Sequence, residues 1–132
     1  MKKNFSTAWK RSKAPRKQRK YRHNAPLHTR TSFMNTMLSK DLAKKYGVGR
    51  IRVRSGDKVK VMRGKYRKTE GKVDTLNIKK STVTITGIER SKKDGSKAMI
   101  PLQVSNLMIV DLVTDDKKRF ADKSQAPKEK NN

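Results

Sequence analysis

Period-two alternation is the clearest pattern in the middle of the chain. Val59 and Val61 alternate with Lys58 and Lys60, and Val83 and Ile85 alternate with Thr82, Thr84 and Thr86, as strands with one buried face require. A third run opens at Val73 and continues through Leu76 and Ile78. Between the runs stand Ser55-Gly56-Asp57, Arg63-Gly64-Lys65, Glu70-Gly71-Lys72, Lys79-Lys80-Ser81 and Lys92-Lys93-Asp94-Gly95-Ser96, of which Asp94-Gly95 is the strongest hairpin signal. Pro101 marks an edge or a bend, and the apolar run Leu107-Met108-Ile109-Val110 suits a final strand buried on both faces. About five strands in roughly sixty residues predict a small closed barrel rather than an open sheet.

Before residue 53 the pattern changes. Residues 12–23 are good helix formers behind Ser12 as a candidate cap, with Pro15 tolerable only in the first turn. Alone, so uniformly charged a segment would hardly be helical. A second short helix is expected over Lys40 to Tyr46, capped by Ser39, stopped by Gly47 and docked through Leu42 and Tyr46. From Asn24 to Met37 the chain reads as extended, tethered by Leu27, Phe33, Met34 and Met37. From Asp115 onward it reads as solvated coil. The expected organisation is an extension at 1–52, a barrel domain at 53–113 and a flexible charged tail at 114–132, with no internal repeat.

Charge then decides the class of partner. The chain has 36 Lys and Arg against 11 Asp and Glu, a formal charge of +25, and only 32% hydrophobic residues. Residues 1–52 hold 16 basic and 1 acidic residue, 53–113 hold 14 and 6, and 114–132 hold 6 and 4. Self-repulsion of this size opposes compaction, so a polyanion of comparable charge is the natural partner. Cysteine is absent, which excludes disulfides, thiolate zinc sites and cysteine nucleophiles and leaves a reducing cytosol as the default compartment. An apolar run of four residues makes neither a signal-peptide core nor a membrane span. The basic N-terminus imitates an organellar transit peptide, but Pro15 and the lack of an apolar stripe argue against that reading.

The first 24 residues carry ten Lys or Arg and no acid, interleaved with Phe5, Trp9, Tyr21 and His23. Cations neutralise phosphates and release condensed counterions, while flat rings stack on unpaired bases. A tail serving only solubility would not need Trp9 and would usually mix signs. RNA is preferred to duplex DNA, because no recognition-helix pair, zinc finger or basic heptad is present to enter a major groove. His23 and His28, five apart across Pro26, do not share a helix face and have no nearby carboxylate, so no metal or other cofactor is expected. The acids Asp57, Glu70, Asp74, Glu89, Asp94 and Asp111 sit mostly at turns and strand ends, where turn formation and ion pairing explain them better than acid–base catalysis. An RNA-cleaving or RNA-modifying enzyme would need a metal at the two histidines, and no enzyme is expected.

The stretch from Ser55 to Val73 is a turn, a strand with a basic face, a loop with four basic residues between 63 and 68, and a glycine opening the next strand. It resembles the KOW motif, Gly-Asp-x-Val-x-Val followed by a basic loop and Gly-Lys-Val, with Arg67-Lys68 where many members have Lys-Gly. Ala14-Pro15-Arg16-Lys17-Gln18-Arg19, Asn24-Ala25-Pro26-Leu27-His28, Leu38-Ser39-Lys40-Asp41-Leu42, Lys44-Lys45-Tyr46-Gly47-Val48 and Ser105-Asn106 resemble, over about residues 12–113, the archaeal and eukaryotic form of the large-subunit ribosomal protein family numbered twenty-four. One departure is Gln103-Val104, where some members have His-Pro.

The resemblance implies a mainly β fold, a small SH3-like barrel with a basic N-terminal extension containing short helices and a disordered C-terminal tail. It also implies a structural role in the cytoplasmic ribosome: binding large-subunit ribosomal RNA, contributing to early assembly, and lying near the polypeptide exit tunnel. The expected partners are that RNA, neighbouring ribosomal proteins and nascent-chain or targeting factors, with no homo-oligomer. Candidate RNA contacts are Arg11, Arg16, Lys17, Arg19, Lys20, Arg22, His23 and Arg30 in the extension, Arg50, Arg52 and Arg54 at the junction, and Lys58, Lys60, Arg63, Lys65, Arg67, Lys68 and Lys72 around the motif. The rival reading is a binding module of the transcription machinery, which shares the motif but should carry a further domain or repeats of it.

Overall fold

The computed structural model describes residues 5–116 and Arg119. Nine strands are present among them: β1 (Asn35–Leu38), β2 (Arg50–Arg52), β3 (Lys58–Val61), β4 (Glu70–Asn77), β5 (Thr82–Ile85), β6 (Glu89–Ser91), β7 (Lys97–Met99), β8 (Leu102–Gln103) and β9 (Leu107–Asp111). Seven form one sheet in the order β2-β1-β9-β3-β4-β5-β8, the wall of a small β-barrel, and β6 and β7 form a separate hairpin. Alternation holds on β3, where Val59 and Val61 are buried and Lys58 is exposed. On β5 Val83 and Ile85 are buried and Thr86 beyond it is exposed, but Thr82 is buried too. On β9, expected to be buried on both faces, Leu107 and Ile109 are buried while Met108 and Val110 are only half-buried. Asp94 accepts hydrogen bonds from the Ser96 amide and hydroxyl at the tip of the β6–β7 hairpin, where Gly95 takes φ +82°.

The sheet reaches back past residue 53. Strand β1 runs parallel to β9, with Met37 opposite Met108 and Leu38 opposite Ile109, and antiparallel to β2. Thr36 Oγ1 donates to the Leu107 carbonyl at 2.5 Å, and the Ser39 amide to that of Ile109 at 2.8 Å. Met34, Leu38 and Ile51 thereby join the core. The stretch read as extended from Asn24 to Met37 instead holds helix α2 (Leu27–Ser32) before β1, and Leu27 and Met37 are exposed rather than tethering. A parallel pairing about seventy residues away in sequence leaves no local period to read, because the loop it closes must be formed before the contact can repay it.

Helix α1 (Pro15–Asn24) starts three residues after Ser12, with Pro15 in its first turn and Ala14 at the cap position. Ser12 serves the preceding 3₁₀ turn (Thr7–Arg11), closing it through its amide to the Trp9 carbonyl. Helix α3 (Lys40–Tyr46) follows expectation: Ser39 Oγ accepts from the Leu42 amide at 3.4 Å, and Gly47 ends it at φ +64°.

Two backbone positions shape the wall between β3 and β4. A Cβ on Gly71 would lie 2.6 Å from Ile85 Cγ2 and 2.7 Å from the Thr86 carbonyl oxygen, so β4 crosses β5 only because that side chain is missing. The connecting loop closes through the Lys68 amide to the Val61 carbonyl at 2.7 Å, the Arg67 amide to Gly64 and the Thr69 amide to Tyr66, with Tyr66 packed on the core. Closure puts Lys68 at φ +73°, a left-handed conformation that costs a non-glycine residue about 1 kcal/mol. The loop therefore forms with Arg67-Lys68 in place.

In the turn between β2 and β3, Asp57 is withdrawn completely from solvent. Its carboxylate accepts from the amides of Arg54 at 2.8 Å and Val113 at 3.2 Å, and from Arg119 Nη1 and Nη2 at 2.8 and 2.5 Å. Arg119 also donates to the carbonyls of Val113 at 2.9 Å and Arg52 at 3.0 Å, with only 2% of its side chain exposed. The expectation of solvated coil after Asp115 is thus corrected at Arg119; the remaining tail positions, 117, 118 and 120–132, lie outside the described residues.

Removing either partner leaves a buried charge without its counterpart, so Asp57→Ala and Arg119→Ala should each destabilise the fold by about 3–5 kcal/mol. The double variant should lose clearly less than the sum of the two, read by chemical denaturation of the full chain; additive losses would show that the two groups do not act as a pair. In the same assay Lys68→Gly should stabilise by about 0.5–1 kcal/mol, by relieving the left-handed backbone, and Gly71→Ala should destabilise by about 1–3 kcal/mol through overpacking.

Candidate nucleic-acid interface

Helix α1 is built around one inward residue. Tyr21 is buried, its ring 5.0 Å from that of Phe5 and 6.2 Å from that of Phe33. Gln18, three residues earlier on the same face, donates from Nε2 to the carbonyls of Lys10 at 3.1 Å and Ser12 at 2.6 Å, fastening the 3₁₀ turn to the helix. Helical spacing then gathers Arg16, Arg19, Lys20 and His23, three and four apart, on the opposite face, where all four are exposed. The flanking cations rest on rings: Lys17 Nζ lies 4.8 Å from the Trp9 ring centre and the Arg22 guanidinium 5.4 Å from that of Phe33. Arg11 is exposed at the end of the 3₁₀ turn.

Among the flat side chains expected to stack on bases, Tyr21 is spent on the interior of the arm, whereas Trp9 is 56% exposed. Arg30 turns inward as well, donating from Nη2 to the His23 carbonyl and so capping the C-terminal end of α1. It stitches α2 to α1.

On the barrel the candidates divide into two groups. Arg63, Lys65, Arg67 and Lys68 are exposed on the β3–β4 loop, Lys72 is exposed on β4 opposite Lys58, and Arg50 and Arg52 project from the outer side of β2 while Ile51 faces the core. Arg54, Lys58 and Lys60 pair with acids at the surface. Arg54 Nη1 lies 2.5 Å from Asp116, and Lys58 and Lys60 approach Glu70 at 3.5 and 3.0 Å. The hydrogen bond from Lys60 holds the Glu70 carboxyl below its usual range, so this pairing favours the fold at and above that range and is lost as the pH falls below it, through the lowered pKa. All these groups are partly solvated, so the pairs orient side chains more than they stabilise.

Sequence reading missed the inward roles of Tyr21, Gln18 and Arg30 and the clasp on Arg119. The three-residue spacing of Gln18 and Tyr21 carried the first; nothing local carries the last. Among the described residues no three His, Cys, Asp or Glu side chains gather to hold a metal ion, and no helix is long and apolar enough to cross a membrane.

Residues 12–122 match the model of a protein family described as the ribosomal proteins L26 of eukaryotes and their archaeal counterparts numbered twenty-four. A relative from Methanosarcina barkeri, named large ribosomal subunit protein uL24, is 47% identical over 108 residues, covering 82% of this chain and 93% of its own. Proteins of the same name from Methanocella arvoryzae and Korarchaeum cryptofilum are 49% identical over 110 residues and 44% over 109, covering 83% of this chain and 89% and 83% of theirs. With the match running from the arm through the barrel to beyond Arg119, the chain belongs to this family of ribosomal proteins, non-enzymatic constituents of the large ribosomal subunit.

Proposed function

We propose that the chain binds large-subunit ribosomal RNA through two cationic surfaces, the outer face of α1 and the β3–β4 loop of the barrel. The observation that carries this reading is α1 itself: Arg16, Arg19, Lys20 and His23 share one exposed face, and no acid occurs before Asp41 to compete for them. Each phosphate neutralised there releases condensed counterions, the dominant sequence-independent term in binding nucleic acid. Arg11, Lys17 and Arg22 flank that face. Arg63, Lys65, Arg67 and Lys68, with Arg50, Arg52 and Lys72, form the barrel's contribution, and arginine matters most wherever a phosphate is gripped by two nitrogens. Arg30, Arg54, Lys58 and Lys60 hold shape first and meet RNA second.

The family resemblance supports the finer assignments. The arm, which precedes β1, and the barrel, which takes in β1 and β2 as well as residues 53–113, act as separate holds on RNA that folds early in subunit assembly. The site lies near the exit of the nascent chain, with one copy among neighbouring ribosomal proteins and within reach of targeting factors.

Replacing Arg16, Arg19 and Lys20 together by alanine should reduce the slope of log affinity against log salt by about 2–3, close to one unit per phosphate contact. Filter binding of the full chain to a large-subunit RNA fragment over a salt series reads this directly. An unchanged slope, with the thermal melt also unchanged, would remove the α1 face from the interface.

A further inference from the structure

The arm contains a cleft that a purely phosphate-screening surface would not need. It opens between the 3₁₀ turn and α1, has a volume of about 270 Å³, and is lined chiefly by Phe5, Trp9 and Tyr21 with Lys17, Lys20 and Asn24. The chain has one Trp, three Tyr and three Phe, and this cleft takes one of the tyrosines, one of the phenylalanines and the tryptophan. Phe5 and Trp9 precede residue 12, where the family match begins, so most of the aromatic lining is furnished by residues outside that match. Tyr21 forms a buried floor, while Trp9 leaves 56% of its surface open.

The geometry points to one unpaired nucleobase, extruded from an RNA helix, as the occupant of this cleft, stacked on Trp9, with the Lys17 ammonium that lies 4.8 Å from that ring centre turning aside to join Lys20 on the flanking phosphates. This rests on the RNA-binding reading above and adds a base-sensing element to it. A base suits the cleft on three counts. It is flat and aromatic, matching rings whose π faces attract any base without regard to sequence. Its polar edge meets Asn24, whose amide offers both a donor and an acceptor and whose Oδ1 lies 3.2 Å from His23 Nδ1. Its own backbone brings the anions that Lys17 and Lys20 require, in a segment where an acidic peptide would be the only protein alternative. A base stacked within a duplex has no free face, so only a bulged, looped or flipped nucleotide can enter.

The single tryptophan makes the test direct. The full chain is titrated with a hairpin RNA closed by a polyethylene-glycol linker in place of a nucleotide loop and carrying one unpaired adenosine, and with the same hairpin in which that adenosine is paired, while Trp fluorescence and affinity are followed. Quenching should occur with the bulged hairpin and be largely absent with the paired one. Trp9→Ala should weaken binding of the bulged hairpin about tenfold, the loss expected for one base–aromatic stack, and leave the paired hairpin unaffected; Trp9→Phe should restore most of the difference. Equal quenching by both RNAs, or equal affinity of wild type and Trp9→Ala for the bulged hairpin, would overturn the base site while leaving RNA binding intact. Failure of the wild-type chain to bind either hairpin, or selective quenching by an acidic peptide instead, would overturn the RNA reading of the arm as well.

Discussion

The barrel closes on a single buried carboxylate. Asp57 is bound by donors from Arg54, Val113 and Arg119, so the turn between β2 and β3, the chain leaving β9 and a residue further beyond that strand converge on one group. Its backbone joins in, since the Asp57 carbonyl accepts from the Val73 amide at 2.9 Å and ties the same point to β4. An apolar side chain could fill the space but could not hold three separate stretches of backbone in register, and the low polarity around the pair makes any half-satisfied arrangement costly. In a chain of +25 the choice of an anion also offsets repulsion where cations are brought together by folding.

The same economy of acids explains the division between barrel and arm. Asp57, Glu70 and Asp116 each hold cations within or beside the barrel, namely Arg119, Lys58 with Lys60, and Arg54. Among the described residues the arm holds no acid to act in this way. Helix α1 begins with Arg16 and Lys17 at the end of the helix that favours anions, and its order depends on the Tyr21 ring cluster and the Gln18 bonds rather than on charge pairing. What remains on its outer face is cationic potential that no acid of the arm cancels, and the proposed RNA contact rests on it.

The barrel was legible in the sequence because its information is local. Alternating Val59/Val61 and Val83/Ile85, the Asp94-Gly95 turn and the Ser39 to Gly47 helix each declare themselves within a few residues, and the structure places them accordingly. β1 and β2 were not legible as strands, because β1 owes its state to β9, far along the chain, and its Thr36 is buried by a hydrogen bond rather than by apolarity. The charged candidates were legible as a set but not individually: the sequence does not distinguish Arg19, which is exposed, from Arg30, which caps a helix. Arg119 was illegible for the plainest reason, since a basic residue in a polar tail looks solvated until its buried partner is known.

Sedimentation of a native lysate through a sucrose gradient, before and after a high-salt wash and with and without ribonuclease, tests most directly whether RNA holds this chain in the large subunit. The chain should travel with the large subunit, survive the wash because its contacts are many and spread over arm and barrel, and be released when the RNA is cut. Migration as a free small protein or with RNA polymerase, or retention on the particle after the RNA is degraded, would contradict that role.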